Sequence, residues 1–126
     1  MGNHFDYFRF YDMLLVIYCD EKDEIIGHFT LRNGNEFGQL YVSPSRRGTE
    51  VVHLLIREAL AIVHNLGFPY IHGVCYERMK KFYELFKRRY NLHIEFPETP
   101  EERTDGQWKV VLFFDETSTD RGSNIR

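Results

Sequence analysis

The sequence is poor in the features that mark several protein classes. Two cysteines, Cys19 and Cys75, are too few for a disulfide scaffold, and both lie in apolar, strand-like runs without a partner at metal or redox spacing. They read as buried free thiols of a reducing compartment. No apolar run approaches the length that crosses a bilayer, and the opening MGNHFDYFRF has neither the apolar stretch nor the small-residue cleavage site of a secretory signal. These absences predict a soluble, intracellular, cytoplasmic protein without membrane contact. Neither sign of charge dominates, since 16 Lys and Arg face 19 Asp and Glu for a formal net charge of -3. A chain so balanced has no global attraction for nucleic acid. A Walker loop, a dinucleotide-binding glycine triplet and a nucleophile elbow are all missing. The histidines His4, His28, His53, His64, His72 and His93 show no linear spacing with acidic or cysteine partners that makes a metal site, so no metal is expected.

What is present is 126 residues, 43% hydrophobic and 16% aromatic, enough for one compact core. The expectation is a single domain over residues 1–117. The polar stretch 118–126 has nothing to bury and reads as a flexible tail. Residues 1–11 carry five aromatics among polar neighbours in no regular pattern. They are expected to pack on the sheet edge or to anchor a partner.

Hydrophobic runs and turn signals then give an α+β chain with a mostly antiparallel meander at its start. Asp12–Cys19 is a continuous apolar run of strand length, Glu24–Arg32 a returning strand, and Asn33-Gly34-Asn35 a hairpin turn leading into Glu36–Val42. Pro44 ends the ladder and Gly48 precedes a helix over Thr49–Leu66, stopped by Gly67. A strand over Tyr70–Cys75 follows, then a basic amphipathic helix over Glu77–Asn91 with Met79, Phe82, Phe86 and Tyr90 towards the core. Leu92–Phe96 and Gln107–Asp115 form the final strands, around a polar loop.

The stretch from Glu36 to Gly67 organises the rest. A helix that starts directly after a tight loop leaves backbone N–H donors unpaired, and with Arg46 and Arg47 nearby these form a seat for a phosphate or pyrophosphate. Leu40-Tyr41-Val42-Ser43-Pro44 followed by Arg47-Gly48, together with Ile25-Ile26-Gly27 in the preceding strand, resembles the GCN5-related N-acetyltransferase (GNAT) family. The resemblance runs from Glu24 to Phe96. It implies the acyl-CoA N-acyltransferase fold, with two main helices and most of the family's N-terminal helices lacking.

By that resemblance Arg46, Arg47, Gly48 and Thr49 hold the pyrophosphate of acetyl-coenzyme A, and backbone groups of Tyr41 and Val42 hold its pantetheine arm. Glu36 matches the position of a general base, and Tyr83, closing a Phe82-Tyr83 pair, that of the acid which protonates the leaving thiolate. His28 is a second base candidate. The implied activity is transfer of an acetyl group to an amine of unspecified identity. The chain departs from the family pattern at Ser45, Glu50, Tyr76 and Met79. The other reading is therefore a catalytically inactive GNAT-like domain, a structural or interaction protein such as a phage virion or assembly component. Its partners would meet the N-terminal aromatics and the basic helix over residues 77–91, and either reading allows a homo-oligomer that completes an exposed sheet edge.

Overall fold

The computed structural model describes residues 2–114, so the expected tail at 118–126 lies outside the described residues. The described residues form seven strands and two α-helices, four strands preceding the first helix, in an α+β order. They fall into two compact units, one ending at Phe68 and one beginning at Pro69.

The first unit is an antiparallel meander and one helix: β1 (His4–Phe10), β2 (Met13–Cys19), β3 (Ile25–Arg32), β4 (Glu36–Val42) and α1 (Thr49–Asn65). Each strand pairs with the next in sequence. β3 lies between β2 and β4 and is the most buried of the four, with Ile26, Phe29 and Leu31 at 2% exposure or less. Against it α1 sets Leu55, Ile56, Ala59 and Val63. Gly27 is what lets the helix approach, because a Cβ there would meet the Tyr41 carbonyl oxygen at 2.6 Å and Leu55 Cδ1 at 3.0 Å. The helix closes in a Schellman arrangement, with Phe68 N–H donating to Val63, Gly67 N–H donating to His64, and Gly67 at φ 89°.

Residues 4–10, which had no regular pattern in sequence, form the strand β1. Backbone pairing with β2 decides this, from His4 opposite Cys19 to Phe10 opposite Met13, through a two-residue turn at Tyr11 and Asp12. The pattern was hidden because β1 leaves both faces partly open, with Tyr7, Phe8 and Phe10 near half exposure. One face nevertheless reaches α1, where the Tyr7 hydroxyl donates to Glu58. Burial, and then that carboxylate, push the Tyr7 phenol up to about 12.

The second unit joins β5 (Tyr70–Cys75), α2 (Glu77–Tyr90), β6 (His93–Glu98) and β7 (Trp108–Phe113). β7 pairs antiparallel with both β5 and β6. Pro97 within β6 is tolerated because the register shifts between Glu95 and Glu98. The core residues are Ile71, Cys75, Tyr83, Phe86, Ile94, Val110 and Leu112. α2 therefore buries Tyr83 rather than the expected Tyr90, which is 47% exposed in the last turn before Asn91 takes the left-handed cap. The 99–106 loop is ordered by Arg103, whose guanidinium bonds both Asp105 and Glu98. Cys19 and Cys75 are free and buried, as their apolar surroundings predicted. No helix among the described residues is long and apolar enough to cross a membrane.

Candidate active site

The loop between β4 and α1 is built by short-range chemistry. Pro44 opens a single 3₁₀ turn over Pro44–Arg46, closed by the Arg46 N–H donating to the Ser43 carbonyl. Arg47 is extended, and its Nε donates to the Val42 carbonyl oxygen at 2.8 Å while its guanidinium lies 5.9 Å from the centre of the Tyr41 ring. Arg46 reaches back to the β2–β3 turn and pairs with Asp20 at 2.9 Å. Both arginine side chains thus brace the loop.

Gly48 is the N-cap of α1, and no side chain caps the helix. The donors of its first turn are left to an external acceptor or to water. A Cβ on Gly48 would meet nothing within 4 Å, so the N-cap position itself is uncrowded. Thr49 begins the helix and Glu50, exposed, follows it.

Behind the loop, β4 is broken by a bulge that the sequence did not announce. His28 pairs with Tyr41 and Thr30 with Gly38, so Gln39 and Leu40 together oppose Phe29, and Gln39 takes a left-handed φ of 50°. A bulge withdraws backbone groups from the ladder and re-aims the strand, and it often does so beside a binding site. Gly38 next to a glutamine was the one available signal.

His28 stacks on Tyr41 at 5.1 Å between ring centres, and its buried Nδ1 has no hydrogen-bond partner. It lies at the loop end of β4. Glu36 lies at the other end, exposed, paired in register with Arg32 across the hairpin. In an extended strand these ends are about 20 Å apart. The first unit therefore brings Tyr41, Val42, Arg46, Arg47, Gly48 and His28 together, with Glu36 at the far end of the same strand.

Tyr83 belongs to the second unit. It is buried at 8% exposure, and burial first, with Cys75 next, pushes its hydroxyl well above the ordinary tyrosine range. Burial also pushes the Cys75 thiol up to about 11. A tyrosine in such surroundings stays protonated at neutral pH, which is the state a proton donor needs. Tyr76, at the N-cap of α2, is 66% exposed. On the basic helix, Lys80 is already committed to Glu84 and to the faces of Trp108 and Phe96, and Lys87 to the Ile94 carbonyl.

No family model matches the sequence. No curated protein matches it either. Solved structures do. The chain is similar to a spermidine N-acetyltransferase of Vibrio cholerae, with TM-score 0.61 and 20% identity over 82% of this chain and 64% of that one. A dodecameric structure is known for spermidine N-acetyltransferase of the same organism. It is also similar to the PaiA N-acetyltransferase of Thermoplasma acidophilum in complex with coenzyme A, with TM-score 0.60 and 14% identity over 82% and 62%. A CoA-dependent acyl-homoserine lactone synthase matches with TM-score 0.63 and 9% identity over 89% and 63%. The fold is that of the GNAT acyl-CoA N-acyltransferases. The chain spans less than two thirds of the length of these three proteins.

Proposed function

We propose that the protein is a GNAT-type N-acetyltransferase that moves an acetyl group from acetyl-coenzyme A to an amine. The observation that carries this reading is the uncapped, uncrowded N-terminus of α1 at Gly48, preceded on β4 by the bulge at Gln39, in a chain with this fold. Backbone donors of Gly48, Thr49 and the first turn hold the pyrophosphate, favoured by the positive end of the helix. The braced arginines fix the loop and add positive charge behind it. The pantetheine arm follows Val42 and Tyr41 towards the bulge, using backbone groups other than the Val42 carbonyl, which Arg47 already occupies.

A coenzyme laid in this direction carries its thioester away from the loop, towards the Glu36 end of β4. Glu36 then takes the proton from the attacking ammonium, and His28, at the loop end, does not. The amine nitrogen attacks the thioester carbonyl carbon, the C–S bond breaks, and the departing thiolate takes a proton from a general acid, the role that the family resemblance gives to Tyr83. The amine has no assigned identity. A spermidine enzyme among the structural relatives makes polyamines the first acceptors to try, and the dodecameric relative supports self-association of this chain.

Isothermal titration with acetyl-coenzyme A tests the reading. Wild-type protein is expected to bind in the micromolar range, about -8 kcal/mol, and Gly48→Glu to abolish binding without unfolding, since its side chain enters open space. Unchanged affinity in Gly48→Glu would move the pyrophosphate elsewhere. No binding by the wild type at millimolar coenzyme would leave the domain a cofactor-free scaffold.

A further inference from the structure

The face of β1 opposite the Tyr7–Glu58 contact gathers side chains that the acetyltransferase reading does not use. His4 and Asp6 are two apart on one strand, so they share a face, and Cys19 stands opposite His4 across the β1–β2 ladder. One donor atom from each of His4, Asp6 and Cys19 lies within 4.8 Å of the others. Asp23, in the β2–β3 turn, adds a carboxylate oxygen 3.5 Å from His4 Nε2, the same distance as Asp6 Oδ2. Cys19 and Asp23 lie far from the His4–Asp6 pair in sequence, and the strand pairing brings them near it.

The separations carry the argument. At 3.5 Å the two carboxylate oxygens are long for hydrogen bonds to the imidazole. The edge of a tetrahedron with bonds of about 2.0–2.3 Å, the range for zinc–nitrogen, zinc–oxygen and zinc–sulfur, is roughly 3.3–3.7 Å. We propose that His4, Asp6 and Cys19 form a three-ligand site for a divalent transition metal of the zinc type, its fourth tetrahedral position taken by water or by Asp23 from beside His4. A mixed nitrogen, sulfur and oxygen donor set suits zinc, whereas calcium and magnesium take oxygen alone.

Charge and access agree. Among the described residues Asp6 and Asp23 pair with no lysine or arginine, only with His4, while the third nearby carboxylate, Asp20, already holds Arg46. His4 and Asp6 side chains are 40% and 49% exposed, so an ion can enter from solvent, and the Cys19 side of the site is buried. Binding converts the Cys19 thiol to a metal-bound thiolate and releases its proton to water. The ion would pin the start of the outermost strand to β2 and to the turn whose Asp20 braces the 43–48 loop. This inference stands whether or not the chain is an acetyltransferase.

The test is titration of chelator-stripped, full-length protein with cobalt(II), followed by zinc competition. A single tetrahedral site with one sulfur ligand should show visible d–d bands and a thiolate-to-cobalt charge-transfer band, both erased by zinc. His4→Gln and Asp6→Asn change half-exposed side chains and should fold as the wild type does by circular dichroism. Each should weaken the metal by more than the about 10-fold that loss of an outer-shell partner costs at the least. Cys19→Ser should remove the charge-transfer band, and Cys75→Ser should keep it. Absence of the band in the wild type, its loss in Cys75→Ser, or unchanged affinity in His4→Gln and Asp6→Asn would each overturn the site. If Cys19→Ser does not fold, the His4 and Asp6 variants decide.

Discussion

Arg46 Nη2 lies 2.9 Å from Asp20 Oδ2, which ties the loop after β4 to the turn before β3 across 26 positions of sequence. Asp20 is itself held by its turn, because its other oxygen accepts from the Lys22 and Glu24 N–H groups. The loop in front of α1 is thus anchored to a point already rigid. Asp20→Ala should free Arg46 and weaken coenzyme A binding with helix content unchanged, as read by titration and circular dichroism.

Acid should loosen this anchor and one in the second unit. The Glu24 N–H first, then the Lys22 N–H and Arg46, hold the Asp20 carboxyl below its ordinary value against an opposing effect of burial. Arg103 and the Gln107 N–H hold Asp105 at about 2. Both folded values lie below the unfolded one of about 3.9, so each contribution is fully present above that pH and is lost as pH falls through the folded value. Melting temperature should fall between pH about 4 and about 2. The fall should be shallower in Asp20→Asn and in Asp105→Asn.

Two glycines should respond oppositely to alanine. Gly27→Ala drives a methyl against the Tyr41 carbonyl oxygen at 2.6 Å and should cost about 1–3 kcal/mol in denaturant unfolding. Gly48→Ala meets open space at an extended backbone and should stay within about 0.5 kcal/mol of wild type.

Gln39 is the other backbone test. Its left-handed φ of 50° suits neither a β-branched side chain nor a regular ladder. Gln39→Val should destabilise the domain by about 1–3 kcal/mol, whereas Gln39→Gly should be neutral or stabilising. Loss of acetyl-coenzyme A affinity in Gln39→Val, beyond what unfolding explains, would connect the bulge with the pantetheine arm.

Tyr83 separates packing from chemistry. Removing one hydroxyl from a buried ring leaves its shape, so Tyr83→Phe should fold normally. As a general acid it should lower kcat by about 10²-fold or more with little change in coenzyme binding. An unchanged kcat would assign Tyr83 to the core alone.

Local chemistry made much of this fold legible in sequence. Asn33-Gly34 turned the chain where Asn33 and Gly34 adopt positive φ, Gly67 closed α1, and β4 and β5 kept their expected ends. What sequence hid depends on pairing between distant segments. β1 shows no alternation because neither face is fully buried, and Gln39 is not a residue that announces a left-handed backbone. Asp20 gives no hint of Arg46, nor His4 of Cys19, until the strands are in register. On α2 the apolar stripe is wide enough for two readings, and packing chose Tyr83 over Tyr90.

Trp108, the single tryptophan of the chain, donates its indole N–H to Glu77 and carries the Lys80 ammonium 4.5 Å from its ring centre. All of those partners lie beyond Phe68. Intrinsic tryptophan emission will therefore report on the unit that holds Tyr83. Coincident thermal scans by fluorescence and circular dichroism would show that the two units melt together, and separate midpoints that they melt apart.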